Sequence, residues 1–206
     1  MSEIKVNKVS PATGTAITLG DSGDTFTVPS GATIVNSGTA TGFGGGGKVL
    51  QVLQNVKTDT QSISGNTFTT VLSQAITPSA TGSKVLINVS INVSGSVRYS
   101  AVQLYRDSTQ IYMGDANGSR ARVAVGSMAN ESASSGTAIM FNSNFTFLDS
   151  PSSTSSVTYY VKAANTYTGN SYGTGATTYI NQMPGDGDAD WAHLGASSLT
   201  VQEIGA

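Results

Sequence analysis

The sequence has 206 residues, a formal net charge of −2 and a pI near 5.2. No basic field is available to condense on nucleic acid, and Arg98, Arg106, Arg120 and Arg122 form no run. Charged residues make up 11% of the chain, well under the roughly 25% of ordinary soluble domains. The absence of cysteine excludes disulfides, thiolate metal centres and cysteine nucleophiles.

With Gly, Ser, Thr and Asn supplying the polar surface, the long charged residues that solvate amphipathic helices are scarce, so the sequence reads as all-β. Met1 to Lys5 opens without an apolar signal core, and no stretch approaches the roughly 20 apolar residues that span a bilayer. The expectation is synthesis in a cytoplasm in soluble form, without membrane insertion.

From Thr15 to Gly42 short segments are punctuated by glycine: Ile17 to Gly20, Thr25 to Gly31, Ala32 to Gly38. Each offers one or two apolar side chains per face, such as Phe26 with Val28, too few for a monomeric core. Residues 1–43 therefore read as a slender β-repeat shaft or anchor that stacks on copies from other chains, or else as a flexible leader. Gly44 to Gly47 has the largest backbone freedom available and reads as a hinge.

Residues 48–206 then show long period-two alternation. Val85, Ile87, Val89, Ile91 and Val93 share one strand face against Asn88, Ser90, Asn92 and Ser94. Ile139, Phe141, Phe145 and Phe147 repeat the pattern, as do Val157, Tyr159 and Val161, and Leu199 with Val201. Candidate strands are 48–56, 67–76, 84–94, 101–106, 110–113, 120–125, 138–149, 157–164, 178–182 and 198–204. One buried face per strand and short connections predict an antiparallel jelly-roll β-sandwich head.

The opening Ser2 to Pro11, the segment Thr18 to Thr33 and the Gly-Phe-Gly at 42–44 resemble the N-terminal part of marine bacteriophage fibre proteins. The strand pattern up to the closing Ser198 to Ile204 is similar to jelly-roll heads of phage fibres and to complement and tumour-necrosis-factor-like trimeric heads. The resemblance implies a homotrimer in a virion, attached to other virion proteins through the N-terminal segment, with Ile4, Val6 and Val9 as anchor residues. It also implies a head presented outward to a host cell-surface polysaccharide or protein. The stretch Met183 to Ala196 departs from that pattern as a long insertion before the last strand.

Several motifs compete with a purely structural role. Gly42 to Lys48 matches G-x-x-x-x-G-K, but Val49 stands where a phosphate loop needs Ser or Thr. Gly169 to Gly173 matches G-x-S-x-G with no helical pattern after it, and Gly20-Asp21-Ser22-Gly23 lies in the repeat region as a turn. His193 is the only imidazole and reads as a solvated loop residue; no enzyme is expected.

Asp186, Asp188 and Asp190 can converge on Ca²⁺ if their loop curls. Trp191 occupies the sixth position and Ser197 the twelfth, against the EF-hand template, so the alternative is a solvated acidic loop and no cofactor. Trp191, His193 and Asp190 are the receptor-contact candidates, since tryptophan favours saccharide and protein contacts, though Trp191 also suits a lid over a sheet edge or subunit interface. Paired carboxylates for a glycan depolymerase would have to come from this cluster or from scattered acids. A capsid decoration or architectural virion subunit is the competing non-enzymatic reading.

Strand parity adds a topological expectation. Ten reversing strands return the chain to the end where the head began and place connections 57–66, 95–100, 114–119, 150–156 and 183–197 at the opposite end.

Overall fold

The structure is a computed structural model that describes residues 9–18, 20–25, 27–33, 35, 47–95, 99–127, 139–166, 176–185, 187–190 and 192–205. The chain divides into two units, residues 1–43 and 44–206. Within the first, no described residue belongs to a strand. Its regular features are two turns, closed by the Asp24 N–H donating to Asp21 O at 3.1 Å and the Ala32 N–H donating to Pro29 O at 3.1 Å. Gly23 (φ 98°) and Gly31 (φ 86°) occupy the third turn position, where a type II turn needs the left-handed conformation. Val9 is 62% exposed and Val35 82%.

The second unit is all-β among its described residues, with β1 Val49–Lys57, β2 Gln61–Ser64, β3 Thr69–Ile76, β4 Lys84–Gly95, β5 Ser100–Arg106 and β6 Thr109–Ile111. After them come β7 Val125–Ser127, β8 Phe141–Asp149, β9 Val157–Asn165, β10 Thr177–Ile180 and β11 Ser197–Ile204. Sheet A runs β1-β11-β4-β10-β2 with β8 on the other side of β4, and sheet B runs β3-β9-β5-β6 with β7 also on β5; every pairing is antiparallel.

The two sheets pack as a sandwich because each strand buries alternate side chains. β4 contributes Val85, Ile87, Val89, Ile91 and Val93, and β11 Leu199 and Val201. Sheet B answers with Leu72, Ile76, Val102, Leu104, Tyr159 and Val161. Each such side chain contributes about 1.5–3 kcal/mol on burial, which makes this one continuous core the main source of stability. No helix among the described residues is long and apolar enough to cross a membrane.

Register shows that three strand lines are interrupted without reversing. β10 and β11 are both antiparallel to β4, pairing with Val93–Gly95 and with Lys84–Ser90 respectively, so residues 181–196 leave one strand line and rejoin it. β6 and β7 stand in the same relation to β5, with residues 112–124 as the excursion. β1 and β2 likewise run in the same direction beside β11 and β10.

The parity expectation is therefore corrected. Residues 183–197 leave the middle of sheet A, 114–119 leave the middle of sheet B, and 150–156 join Asp149 and Val157 at the base, where the second unit begins. The C-terminal end does return to that base: Gly47 N–H donates to Gly205 O at 3.0 Å, and Gly205 N–H to Lys48 O at 2.8 Å. β2 went unexpected, and the strand placed at 120–125 is Val125–Ser127.

Candidate functional site

The excursion 181–196 is held by a polar clasp at the split between β10 and β11. Asn181 is fully buried at φ 61°, in the left-handed region that asparagine tolerates better than most residues. Its Nδ2 donates to Lys57 O at 2.9 Å and Asp59 O at 3.1 Å, where β1 gives way to β2, and Ser197 Oγ donates to its Oδ1 at 2.6 Å. One side chain thus satisfies two backbone carbonyls left at the interruption of β1 and β2 and ties them to the start of β11.

The returning limb approaches the outer face of sheet A, where Asn92 Nδ2 donates to Ala196 O at 2.7 Å. A Cβ at Gly195 would stand 2.7 Å from that same nitrogen, so a larger residue there would have to displace the Asn92 amide.

On this excursion Asp188, Asp190 and His193 are exposed, and the His193 N–H donates to Met183 Sδ at 3.4 Å. Asp186 and Trp191 lie outside the described residues, as do Ile4, Val6, most of the glycine hinge and the 169–173 motif. Among the described residues no three acidic or imidazole side chains cluster as metal ligands. A strand, β1, follows Lys48, where a phosphate loop would lead into a helix.

The outer face of sheet A is built from three cross-strand rows: Val52–Gln202–Leu86–Leu148, Gln54–Thr200–Asn88–Thr146 and Val56–Ser198–Ser90–Asn144. None of these residues is charged; Lys84 sits at the basal margin beside Ile204. Val52 is 56% exposed and Val56 53%. Polar side chains of this face pair across strands: Gln54 Nε2 donates to Thr200 Oγ1 at 2.8 Å, Thr146 Oγ1 to Asn88 Oδ1 at 2.8 Å, and, in the next row, Asn142 Nδ2 to Asn92 Oδ1 at 2.9 Å.

The outer face of sheet B differs in chemistry. Its central row is Ser73–Tyr160–Tyr105–Gln110, followed by Thr70–Lys162–Gln103. Lys162 Nζ lies 4.0 Å from the Tyr105 ring centroid and 5.8 Å from that of Tyr160. The excursion 112–124 is tied to this face through Arg122 O, which accepts from Gln103 Nε2 at 2.9 Å and Gln110 Nε2 at 2.7 Å. At its start Tyr112 stacks on Phe145, with ring centroids 5.5 Å apart.

Two buried polar groups brace the base. Arg106 Nη1 of sheet B donates to both carboxylate oxygens of Asp149 in sheet A, at 2.9 and 2.8 Å, and Tyr159 Oη donates to Asp149 Oδ2 at 2.7 Å. Burial and then this carboxylate push the Tyr159 phenol far above its ordinary value. Glu203, 1% exposed, has its carboxylate contacted by Ser79 N–H at 2.7 Å, Ser79 Oγ at 2.6 Å and Gln51 Nε2 at 2.6 Å. Burial alone would raise its pKa, but these donors outweigh it and hold the group at about 2.

The outward parity of Tyr160 and Lys162, opposite to that of Tyr159 and Val161, is a signal visible in the sequence. Asp149 with Arg106 leaves none, because the partners meet only through the packing of two sheets. Comparison with protein-family models and with curated proteins found no match.

Proposed function

We propose that this chain is a structural, non-enzymatic fibre or spike protein of a bacteriophage particle, a homotrimer whose sandwich head meets a host surface. Connectivity supports the jelly-roll form of that head. With the three interruptions healed, the strand lines are β1/β2, β3, β4, β5, β6/β7, β8, β9 and β10/β11, in the sheet orders β1/β2-β10/β11-β4-β8 and β3-β9-β5-β6/β7. Eight antiparallel lines in two sheets, linked so that non-consecutive strands become neighbours, support a jelly-roll reading of the sandwich.

The observation that carries assembly is the outer face of sheet A, with its three rows free of charge and Val52 and Val56 more than half exposed. Protein surfaces ordinarily intersperse charges that keep copies apart, whereas the centres of subunit interfaces are depleted of them. Copies of this chain covering that face satisfy both rules. The exposed Val9 and Val35 of the first unit support the same reading, since a slender segment of this kind buries its apolar residues only against other chains. Virion location and the N-terminal anchor rest on the resemblance of residues 2–11, 18–33 and 42–44 to marine phage fibres.

A capsid decoration or architectural subunit uses the same assembly face. Binding of the purified protein to whole host cells, competed by isolated surface polysaccharide, supports attachment. Antibody labelling confined to the capsid shell would replace attachment with decoration, and release of reducing ends from host polysaccharide would overturn the non-enzymatic reading.

A further inference from the structure

The shelf on the outer face of sheet B is built from three residues of two neighbouring strands. Tyr105 and Tyr160 are cross-strand partners, and Lys162 follows Tyr160 on the same face with its ammonium over the Tyr105 ring. Among the described residues neither Lys162 nor Arg122 has a carboxylate within 4.0 Å, although the chain carries more acids than bases.

We propose that this shelf binds an acidic saccharide, a carboxylated sugar whose C–H face lies on Tyr160 and whose carboxylate meets Lys162. Tyrosines fixed on a sheet give contact area while losing little conformational freedom on binding. Lys162, steered by the ring beneath it, supplies the complementary charge. Ser73 and Thr70, the β3 partners of Tyr160 and Lys162, add hydroxyl-bearing residues beside the shelf. An acidic peptide suits the place less well, because peptides gain affinity by pairing with a free strand edge and this is the face of a sheet. The proposal does not rest on the fibre reading, since it needs neither the trimer nor the virion.

Calorimetric titration of the whole 206-residue chain with three probes tests it: a uronic-acid oligomer, its carboxyl-reduced neutral counterpart and poly-glutamate. The uronic-acid oligomer should bind, and carboxyl reduction or Lys162→Met should each weaken binding about tenfold or more, a difference of about 1.4 kcal/mol. Tyr160→Ser should weaken it as well, while Lys162→Arg retains binding and Lys84→Met, on sheet A, leaves it unchanged. Circular dichroism confirms that each variant is folded. The proposal is overturned if the folded wild type fails to bind, if the neutral oligomer or poly-glutamate binds as tightly, or if Lys162→Met binds like wild type.

Discussion

The outer face of sheet A presents rows such as Gln54–Thr200–Asn88–Thr146, whereas that of sheet B presents Ser73–Tyr160–Tyr105–Gln110 with Lys162 alongside. The inward faces obey one rule, aliphatic side chains at alternate positions, because both fill the same core. The outward faces are free of that constraint, so their composition reports what each is for. Sheet A hydrogen-bonds amides and hydroxyls to one another and is the neutral face proposed to meet a second copy. Sheet B holds a cation over an aromatic ring and is the face proposed to meet an acidic ligand.

The severest way to break this contrast is to remove what both faces share. Asp149→Ala leaves the Arg106 guanidinium and the Tyr159 hydroxyl without their acceptor between the sheets and should cost about 3–5 kcal/mol in urea denaturation, degrading both faces together. Asn181→Ala should act on sheet A. It deletes the clasp and places alanine at φ 61°, for a loss of about 2–4 kcal/mol. Asn181→Gly keeps the backbone conformation accessible and should recover about 1 kcal/mol of that.

Acid should weaken the base through Glu203. Its folded pKa is depressed from 4.5 to about 2, so its stabilising effect is complete above pH 4.5 and is lost as pH falls from there toward 2. Thermal melts across that window should show the loss in wild type and a flatter profile in Glu203→Gln. The smallest effect belongs to sheet B: Lys162→Met removes a half-buried cation–π contact and should change stability by about 1 kcal/mol, leaving association intact.

Alternation made the core legible before any coordinates. The inward residues of β4, β9 and β11 are those that period two selects, and the two-sheet sandwich followed from them, while the all-β class followed from the scarcity of long charged residues. β2 escaped because Gln61–Ser64 holds a single apolar residue, Ile63, too little to register as a period. The directions of the later strands escaped for a different reason. Periodicity marks where a strand begins and ends but does not tell a hairpin, which reverses the chain, from an excursion that rejoins its own line, as 112–124 and 181–196 do. The return of the chain to the base survived that error because eight strand lines and ten strands are both even.

The candidate site was legible only in part. The acidic excursion stood out as an insertion, but its seat on the face of sheet A depends on Asn92 and Gly195 meeting across the fold. The shelf could be read as two outward residues of β9, Tyr160 and Lys162. Its third member, Tyr105, joins them only through the register of β5 with β9.

The most direct test of the contrast is sedimentation equilibrium of the full chain beside Thr200→Glu, which places one charge in the middle row of sheet A. The account predicts a trimer of 21.0 kDa protomers for the wild type and a folded monomer for Thr200→Glu, with protomer stability changed by about 0.5 kcal/mol or less. A wild type that sediments as a folded monomer at micromolar concentration, or a Thr200→Glu protein that stays trimeric, would contradict it.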